Sequence, residues 1–410
     1  MIEVATARAG SLEVSSEAPM PSVAVIGGSL GGLTAALDLR DLGCTVDVYE
    51  RSGVALEARG AGIAVLDHTL RYPTERAGIA PERFCSVTDT IRFLEADGTV
   101  EHEQQHRYRF SSWNAVYRTL LQGFDADRYH LGAEMASFVD EDDGVEVTFR
   151  DGRRIRAELL VCADGINSSS RRTLLPDALP RYAGYVAWRG VIPESQLGPT
   201  TYDALHDALT YQQLPESHIL VYPIPGLDGG IEPGQRLMNI VWYRNVAESD
   251  LPSLLTDRDG RVRSVSLPPG AARDDVIAEM REFARDHLAP PIAEVVTGIE
   301  EPFLQAVFDI EVPRMAFGRT CLIGDAAFSV RPHAAAGTAK AAEDGYILAE
   351  ELDAASGDVR IALRRWEQRQ LVLGKLLLER TRQIGDSSQF TGSFRPGDPR
   401  LIFGLYRPGQ

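Results

Sequence analysis

Cysteine is scarce and basic charge is in deficit: 410 residues carry four cysteines, and 42 lysines and arginines face 59 aspartates and glutamates. Cys44, Cys85, Cys162 and Cys321 stand far apart with no Cys-x-x-Cys spacing, and the last two sit within apolar runs. That speaks against a disulfide framework and reads as reduced core residues of a cytoplasmic protein. A formal charge of −17 disfavours nucleic acid, whose binding needs basic surface to displace counterions, and disfavours anionic lipid. No run approaches the ~20 consecutive apolar residues of a membrane span. Residues 1–20 are mixed small, acidic and polar, lack the basic start and apolar stretch of a secretory signal, and read as a disordered extension. There is no Gly-Lys-Ser/Thr phosphate loop, and the histidines, cysteines and acids are read as forming no metal site.

What remains is an ordinary globular composition, 44% hydrophobic, long enough for at least two cores. A short apolar strand over 22–26 runs into Gly27-Gly28-Ser29-Leu30-Gly31-Gly32, helical spacing follows over 33–42, and a second strand spans 45–49. This is a βαβ unit whose glycine turn presents a helix N-terminus to a pyrophosphate. Gly27 and Gly32 hold the first and third glycine places, Ser29 stands at the middle one with a hydroxyl to add, and Leu30 enters the helix. Glu50 follows the second strand, 23 positions after Gly27 (50 − 27 = 23), where a carboxylate meets a ribose diol in this fold. Arg51 divides evenly between adenosine contact and surface charge. Far downstream, an apolar run over 320–323 enters Gly324-Asp325. A carboxylate there can accept hydrogen bonds from ribitol hydroxyls, which a nicotinamide dinucleotide lacks. The two distant motifs therefore look like two ends of one FAD site.

Between them, one strand read over 155–163 leads into Asp164-Gly165, followed by Ser168 and Arg171, which is similar to the DG signature of the single-component FAD-dependent aromatic hydroxylases. All three motifs occur in the family's order, and from about residue 21 onward the chain resembles that family. Gly27-Gly28-Ser29, the stretch from Ala183 to Gly190, Tyr222-Pro223-Ile224-Pro225-Gly226, the stretch from Arg331 to Gly337 and the stretch from Gly392 to Gly397 bring it nearest the branch that acts on dihydroxypyridine.

The resemblance implies an α/β fold: a Rossmann-like FAD-binding domain (21–70, 105–181 and 305–385) interleaved with a smaller α+β substrate domain (71–104 and 182–304) on a mostly antiparallel sheet, then a tail (386–410). It implies that Asp164 supports the pyrophosphate region and the path of the donor, with a helix N-cap as the bland alternative. Gly337, with Thr338 and Ala339, falls where backbone meets the flavin ring. Pro332 and His333 would pass the reactive edge, His333 as a proton shuttle, with Tyr222 the second candidate; His68, Trp188, Arg189, Tyr211 and His218 are further pocket candidates. Departures from the pattern are Phe328 in place of a histidine, Ala339 in place of an asparagine, and Trp113 in place of an arginine. The implied activity is monooxygenation: NADH or NADPH reduces FAD, O₂ gives a C4a-hydroperoxide, and a hydroxyl passes to an electron-rich ring, 2,6-dihydroxypyridine becoming 2,3,6-trihydroxypyridine. Another phenol, pyridine or natural-product substrate stays open, as does a non-catalytic flavin-binding sensor. So does a homodimer, since the helix read over 359–384 can pack on its own domain or on a neighbour.

Overall fold

Val23, Ala24, Val25 and Ile26 are apolar without alternation, the pattern of a strand covered on both faces. In the computed structural model, which describes residues 20–56 and 61–410, Ser22–Ile26 lies inside a six-stranded sheet. The extension read over 1–20 lies outside the described residues except for Met20. Thr45–Tyr49 pairs parallel on one side of Ser22–Ile26 and Leu159–Cys162 on the other, with Thr320–Leu322 beyond it, also parallel. The register sets Ile26 beside Cys162 and Cys162 beside Leu322. The three strands that carry the motifs therefore end level, along the carboxyl edge where open α/β sheets bind ligands. Helix Gly337–Ala354 lies against helix Leu30–Asp41, so closely that a Cβ on Gly345 would stand 2.6 Å from the Ala35 Cα.

The second layer is a nine-stranded sheet, in chain terms Ser266–Leu267, Phe303–Asp309, Arg181–Pro193, Leu237–Asn245, Ser217–Ile224, Ala208–Leu214, Ser86–Leu94, Val100–Ser112 and Gly62–Ala64. All neighbours are antiparallel except Ala208–Leu214 with Ser86–Leu94. Period-two alternation divides its faces. Val186, Trp188, Ile219, Val221, Ile240 and Trp242 pack with residues of helices Asp274–His287 and Pro290–Gly298. Tyr185, Ala187, Leu220, Tyr222, Val241 and Tyr243 form a separate cluster on the opposite face. Among the described residues no helix is long and apolar enough to cross a membrane.

Two expectations change. The single strand read over 155–163 is two strands in different sheets: Arg154–Ala157 completes a three-stranded antiparallel sheet with Met135–Asp140 and Val145–Phe149, and Leu159–Cys162 joins the parallel sheet. Glu158 makes the transfer, donating its N–H to Ser22 O while its carboxylate accepts the Ser22 N–H at 2.8 Å. The domain boundaries drawn at 104–105 and 304–305 fall inside Val100–Ser112 and Phe303–Asp309, both in the large sheet.

The large sheet also holds a buried ion pair, Arg236 with Glu194, at 2.8 Å, with Glu194 taking the Gly234 N–H as well. Breaking such a pair leaves an uncompensated buried charge at a cost of about 3–5 kcal/mol. Glu194→Ala should therefore lower the melting temperature markedly, and calorimetry should show Glu194→Gln losing less.

Candidate active site

The glycine turn is built where side chains cannot be. Gly27 has φ of +103°, and a Cβ on Gly32 would lie 1.8 Å from the Gly27 carbonyl oxygen. Ser29 is the N-cap of helix Leu30–Asp41, with φ of −80° and no capping bond from its side chain. Its hydroxyl and the helix's first amides stay available to an anion. Glu50 is buried beneath the turn; its carboxylate accepts N–H bonds from Gly28 (2.9 Å) and Ser52 (2.8 Å), which leaves acceptor capacity for a diol. Arg51 is exposed. Trp113 stacks on Tyr117 at 5.0 Å, Tyr117 meets the Tyr129 hydroxyl at 3.1 Å, and Tyr129 donates to Gly28 O at 2.8 Å. An aromatic column thus starts at Trp113 and ends on the glycine turn.

Asp164 gathers the next segment, accepting from Ser168 Oγ (2.6 Å), Ser169 Oγ (3.2 Å) and both the N–H and Oγ of Ser170 (3.0 Å each). The local capping role has its geometry, with Ser168 as the N-cap proper. Gly165, at φ of +74°, borders open space. Arg171, 1% exposed, donates to Ile166 O (2.6 Å), Ala178 O (3.2 Å) and Ala326 O (3.1 Å). It ties the Asp164 loop to the Asp325 loop.

The third segment turns at Gly324 (φ +56°), whose N–H donates to Asp344 Oδ2 at 2.8 Å. Lys340 binds the same oxygen at 2.6 Å, so the buried Asp344 carboxyl, pushed up by desolvation, is held by a cation and an amide. Asp325 opens into the cleft; its dense surroundings push its carboxyl up to about 6, with Lys340 and then Arg171 pulling the other way. Phe328 is buried core beneath the Lys340 ammonium, 5.2 Å away. At the start of helix Gly337–Ala354, Ala339 is buried, Thr338 Oγ1 meets Thr69 Oγ1 at 3.1 Å, and Gly337 has no atom within reach of an added Cβ. A bare turn, two glycines facing open room and an exposed carboxylate fit a flavin dinucleotide laid along the sheet edge.

The FAD binding domain family matches residues 20–226, and a second family described as FAD binding domain-like matches 182–309. The chain is 37% identical over 388 residues to 2,6-dihydroxypyridine 3-monooxygenase of Paenarthrobacter nicotinovorans, covering 93% of this chain and 95% of that one. It belongs to the FAD-dependent aromatic hydroxylases. The solved structure of 2,6-dihydroxypyridine-3-hydroxylase from Arthrobacter nicotinovorans superposes with a TM-score of 0.90 at 35% identity, covering 96% of this chain and 99% of that one. A 3-amino-4-hydroxybenzoate 2-monooxygenase of Streptomyces cremeus is 28% identical, covering 89% and 86%.

In this hydroxylase the cluster on the cofactor-side face of the large sheet borders a partly open cavity of about 20 Å³ lined by His218, His333, Tyr211, Tyr243, Pro332 and Phe394, among others. His333 shares a 2.7 Å hydrogen bond between Nε2 and the Tyr185 hydroxyl, and its Nδ1 has no partner among the described residues. His218 Nδ1 accepts from Gln389 Nε2 at 3.0 Å, which puts the His218 proton on Nε2. Burial lowers the pKa of both imidazoles, His218 to about 3 and His333 well below the usual value, with His218 and Arg331 adding to the effect. Both are neutral at pH 7.

Tyr222 is placed otherwise: stacked on Phe110 at 4.3 Å, it donates its hydroxyl to Gly62 O at 3.1 Å and does not line the cavity. Trp188 faces the helices behind the sheet, and His68 packs on Tyr406 at 5.5 Å. Arg189 lies among Tyr222 and Tyr243 with its Nε unbonded. Tyr185, Tyr243 and Phe394 were not singled out by sequence. The Tyr185 and Phe394 segments were noted as branch-like, but a strand's inward face and a tail's path are tertiary facts.

Two spacings match motifs of other chemistries. His102-Glu103-Gln104-Gln105-His106 has the His-Glu-x-x-His form, yet it lies in strand Val100–Ser112, where residues four apart are separated by about 13 Å rather than meeting on one helical turn. No cluster of three potential metal ligands exists among the described residues. Gly27-Gly28-Ser29-Leu30-Gly31 has the Gly-x-Ser-x-Gly form, but Ser29 has unstrained backbone and no base beside it.

If Asp325 holds ribitol hydroxyls, Asp325→Ala should weaken FAD retention by roughly 10–100-fold, read as flavin absorbance per protein after dialysis. The neutral histidines give a second expectation. Their folded pKa values lie below the unfolded value of 6.5, so the unfolded chain binds more protons below about pH 6.5 and stability falls with acid there. The melting temperature of His218→Gln should fall less steeply than that of the parent between pH 6.5 and 4.

Proposed function

We propose that the protein hydroxylates 2,6-dihydroxypyridine to 2,3,6-trihydroxypyridine, with NADH as reductant and O₂ as oxygen source. When bound, FAD supplies the reduced ring that activates O₂ for hydroxyl transfer. The Gly27–Gly32 turn, Ser29, Leu30 and Glu50 would hold its adenosine diphosphate side. Asp325 would hold the ribitol, and Gly337, Thr338 and Ala339 the ring. The observation that carries the substrate reading is the pair of neutral, differently committed imidazoles in one aromatic cavity.

His218 offers an Nε2–H donor. The Tyr185 phenol stays protonated because burial pushes it up, and His333 keeps Nδ1 free to accept from a ring hydroxyl when Nε2–H donates to Tyr185. Drawing that proton off raises electron density at the ortho and para carbons, which is what makes such a ring reactive. Two ring oxygens match one donor and one acceptor. The residues lining the cavity include no arginine or lysine, so a ring carboxylate would meet no cation in the lining itself, Arg189 standing beside Tyr222 and Tyr243. This favours a hydroxypyridine over the aminohydroxybenzoate named for the Streptomyces relative.

The test follows NADH oxidation, hydroxylated product and peroxide together over a panel of hydroxypyridines and phenols. Substrate-stimulated oxidation with product from 2,6-dihydroxypyridine is expected, and peroxide without product from every ring would end the assignment. His333→Gln should retain FAD while lowering coupling by 10²-fold or more in product formation, on the order of a general base's contribution. Tyr185→Phe should shift the pH profile of turnover rather than abolish it.

A further inference from the structure

The chain beyond helix Val359–Gln389 returns across the cavity. Phe394, 4% exposed, sets its ring 5.5 Å from His218 at an interplanar angle of 27°, and 6.3 Å from both Phe93 and Tyr211. The cavity it borders measures about 20 Å³, enough for about one water. The cavity is partly open, and a six-membered ring bearing two oxygens needs several times that volume, so it fits by reaching through the open side or by displacing a wall.

The walls differ in how firmly they are held. The sheet strands are fixed by continuous ladders. The long helix has no spare room, since a Cβ on Gly385 would stand 2.6 Å from the Tyr185 hydroxyl and 2.8 Å from His333 Nε2. Residues 391–401 instead bond only among 386–402: Thr391 N–H to Asp386 O, Ser393 and Phe394 N–H to Ser387 O, Arg395 to Gly392 O and Phe394 O, Leu401 N–H to Asp398 O. Firm attachment resumes just beyond. Phe403 N–H donates to the Tyr108 hydroxyl, Gly404 N–H to Ala334 O, and Arg380 to the carbonyls of Ile402 and Gly404. Gly392 and Gly397, at φ of +59° and +77°, flank Phe394. The segment is a strap tied at both ends whose middle touches the body chiefly through apolar contact.

We infer that Phe394 is the specificity wall of this hydroxylase: the strap gives way far enough to admit one aromatic ring, and the Phe394 side chain stops a second fused ring. This rests on reading the cavity as the ring site. Residues on the sheet choose the polar pattern of the substrate, and the strap chooses its size.

The FAD-loaded enzyme serves as its own probe, through the change in visible flavin absorbance on titration with 2,6-dihydroxypyridine or with two-ring 2,4-dihydroxyquinoline. Phe394→Ala should tighten the quinoline by about tenfold or more, the scale on which pocket volume discriminates, with Phe394→Leu intermediate and the pyridine weakened. Phe394→Trp should weaken even the pyridine. An unchanged quinoline affinity, or an equal loss for both rings, in a variant that retains FAD overturns the inference. Should the alanine variant lose FAD, the leucine and tryptophan variants decide it by the same criteria. If the parent fails to turn over the pyridine while the ring preference still shifts, the wall stands and the substrate reading falls; no perturbation by either ring in any variant removes both.

Discussion

Everything at the cofactor site depends on the register of three parallel strands. Because Ile26, Cys162 and Leu322 sit side by side, the glycine turn, the Asp164 loop and the Asp325 loop leave the sheet at one level, although their sequence positions span ~300 residues. A slip of one residue in Leu159–Cys162 would turn its alternate side chains to the wrong faces and carry Asp164 off the edge. The register is reinforced beyond the sheet by Arg171, a buried guanidinium that donates to Ile166 O and Ala326 O on the two loops it joins and to Ala178 O farther along the chain. Among the described residues no acid pairs with it directly, so its charge is met by carbonyl dipoles, a geometry that the planar fork of arginine suits and a lysine would not.

The same constraint explains why the domains interleave. Each motif strand must return to the parallel sheet, so the chain leaves for the large sheet between visits: Gly62–Ala64 through Val100–Ser112 after the second strand, then Arg181–Pro193 through Phe303–Asp309 before Thr320–Leu322. The substrate layer is thus laid against the cofactor edge by connectivity as well as by packing. Tyr222 and Asn239 contribute directly, binding the Gly62 carbonyl and N–H, which pins the short segment that leads away from the cofactor half.

What could be read from the sequence follows from this division. The glycine turn, Glu50, the Asp164 loop and Gly324-Asp325 were legible because backbone conformation dictates residue type there: Gly27 and Gly324 need positive φ, and Gly32 has no room for a Cβ. Such positions speak through identity alone. The ring cavity was only half legible. His333 and Pro332, singled out by their distance from the Asp325 motif, line the cavity together with the candidates His218 and Tyr211. Tyr222 lies on the same strand as His218, yet its hydroxyl is taken by Gly62 O. Phe394 could not be placed at all without the path of the tail, and the break at Glu158 was hidden because strands run up to it on both sides with no glycine or proline between them.

The cavity's electrostatics complete the contrast between the two halves. The cofactor edge holds Lys340, Arg171, Asp325 and Asp344 within one network, suited to a charged, permanently resident ligand. The ring cavity is lined by neutral groups whose few polar atoms are pre-committed on one side, Nδ1 of His218 by Gln389 and Nε2 of His333 by Tyr185. In a desolvated chamber a fixed charge would bind a ring anion tightly but would also hold it in an ionised ground state. On the proposed reading, a neutral base would instead let the ring enter uncharged and lose its proton where the charge aids the reaction. A wet chamber would defeat that advantage, because water would screen the developing charge and divert the oxidant. A cavity lined by aromatic side chains, with Phe394 as a movable wall on the proposed reading, would meet both demands: dry once the ring is in place, and neutral before the chemistry begins.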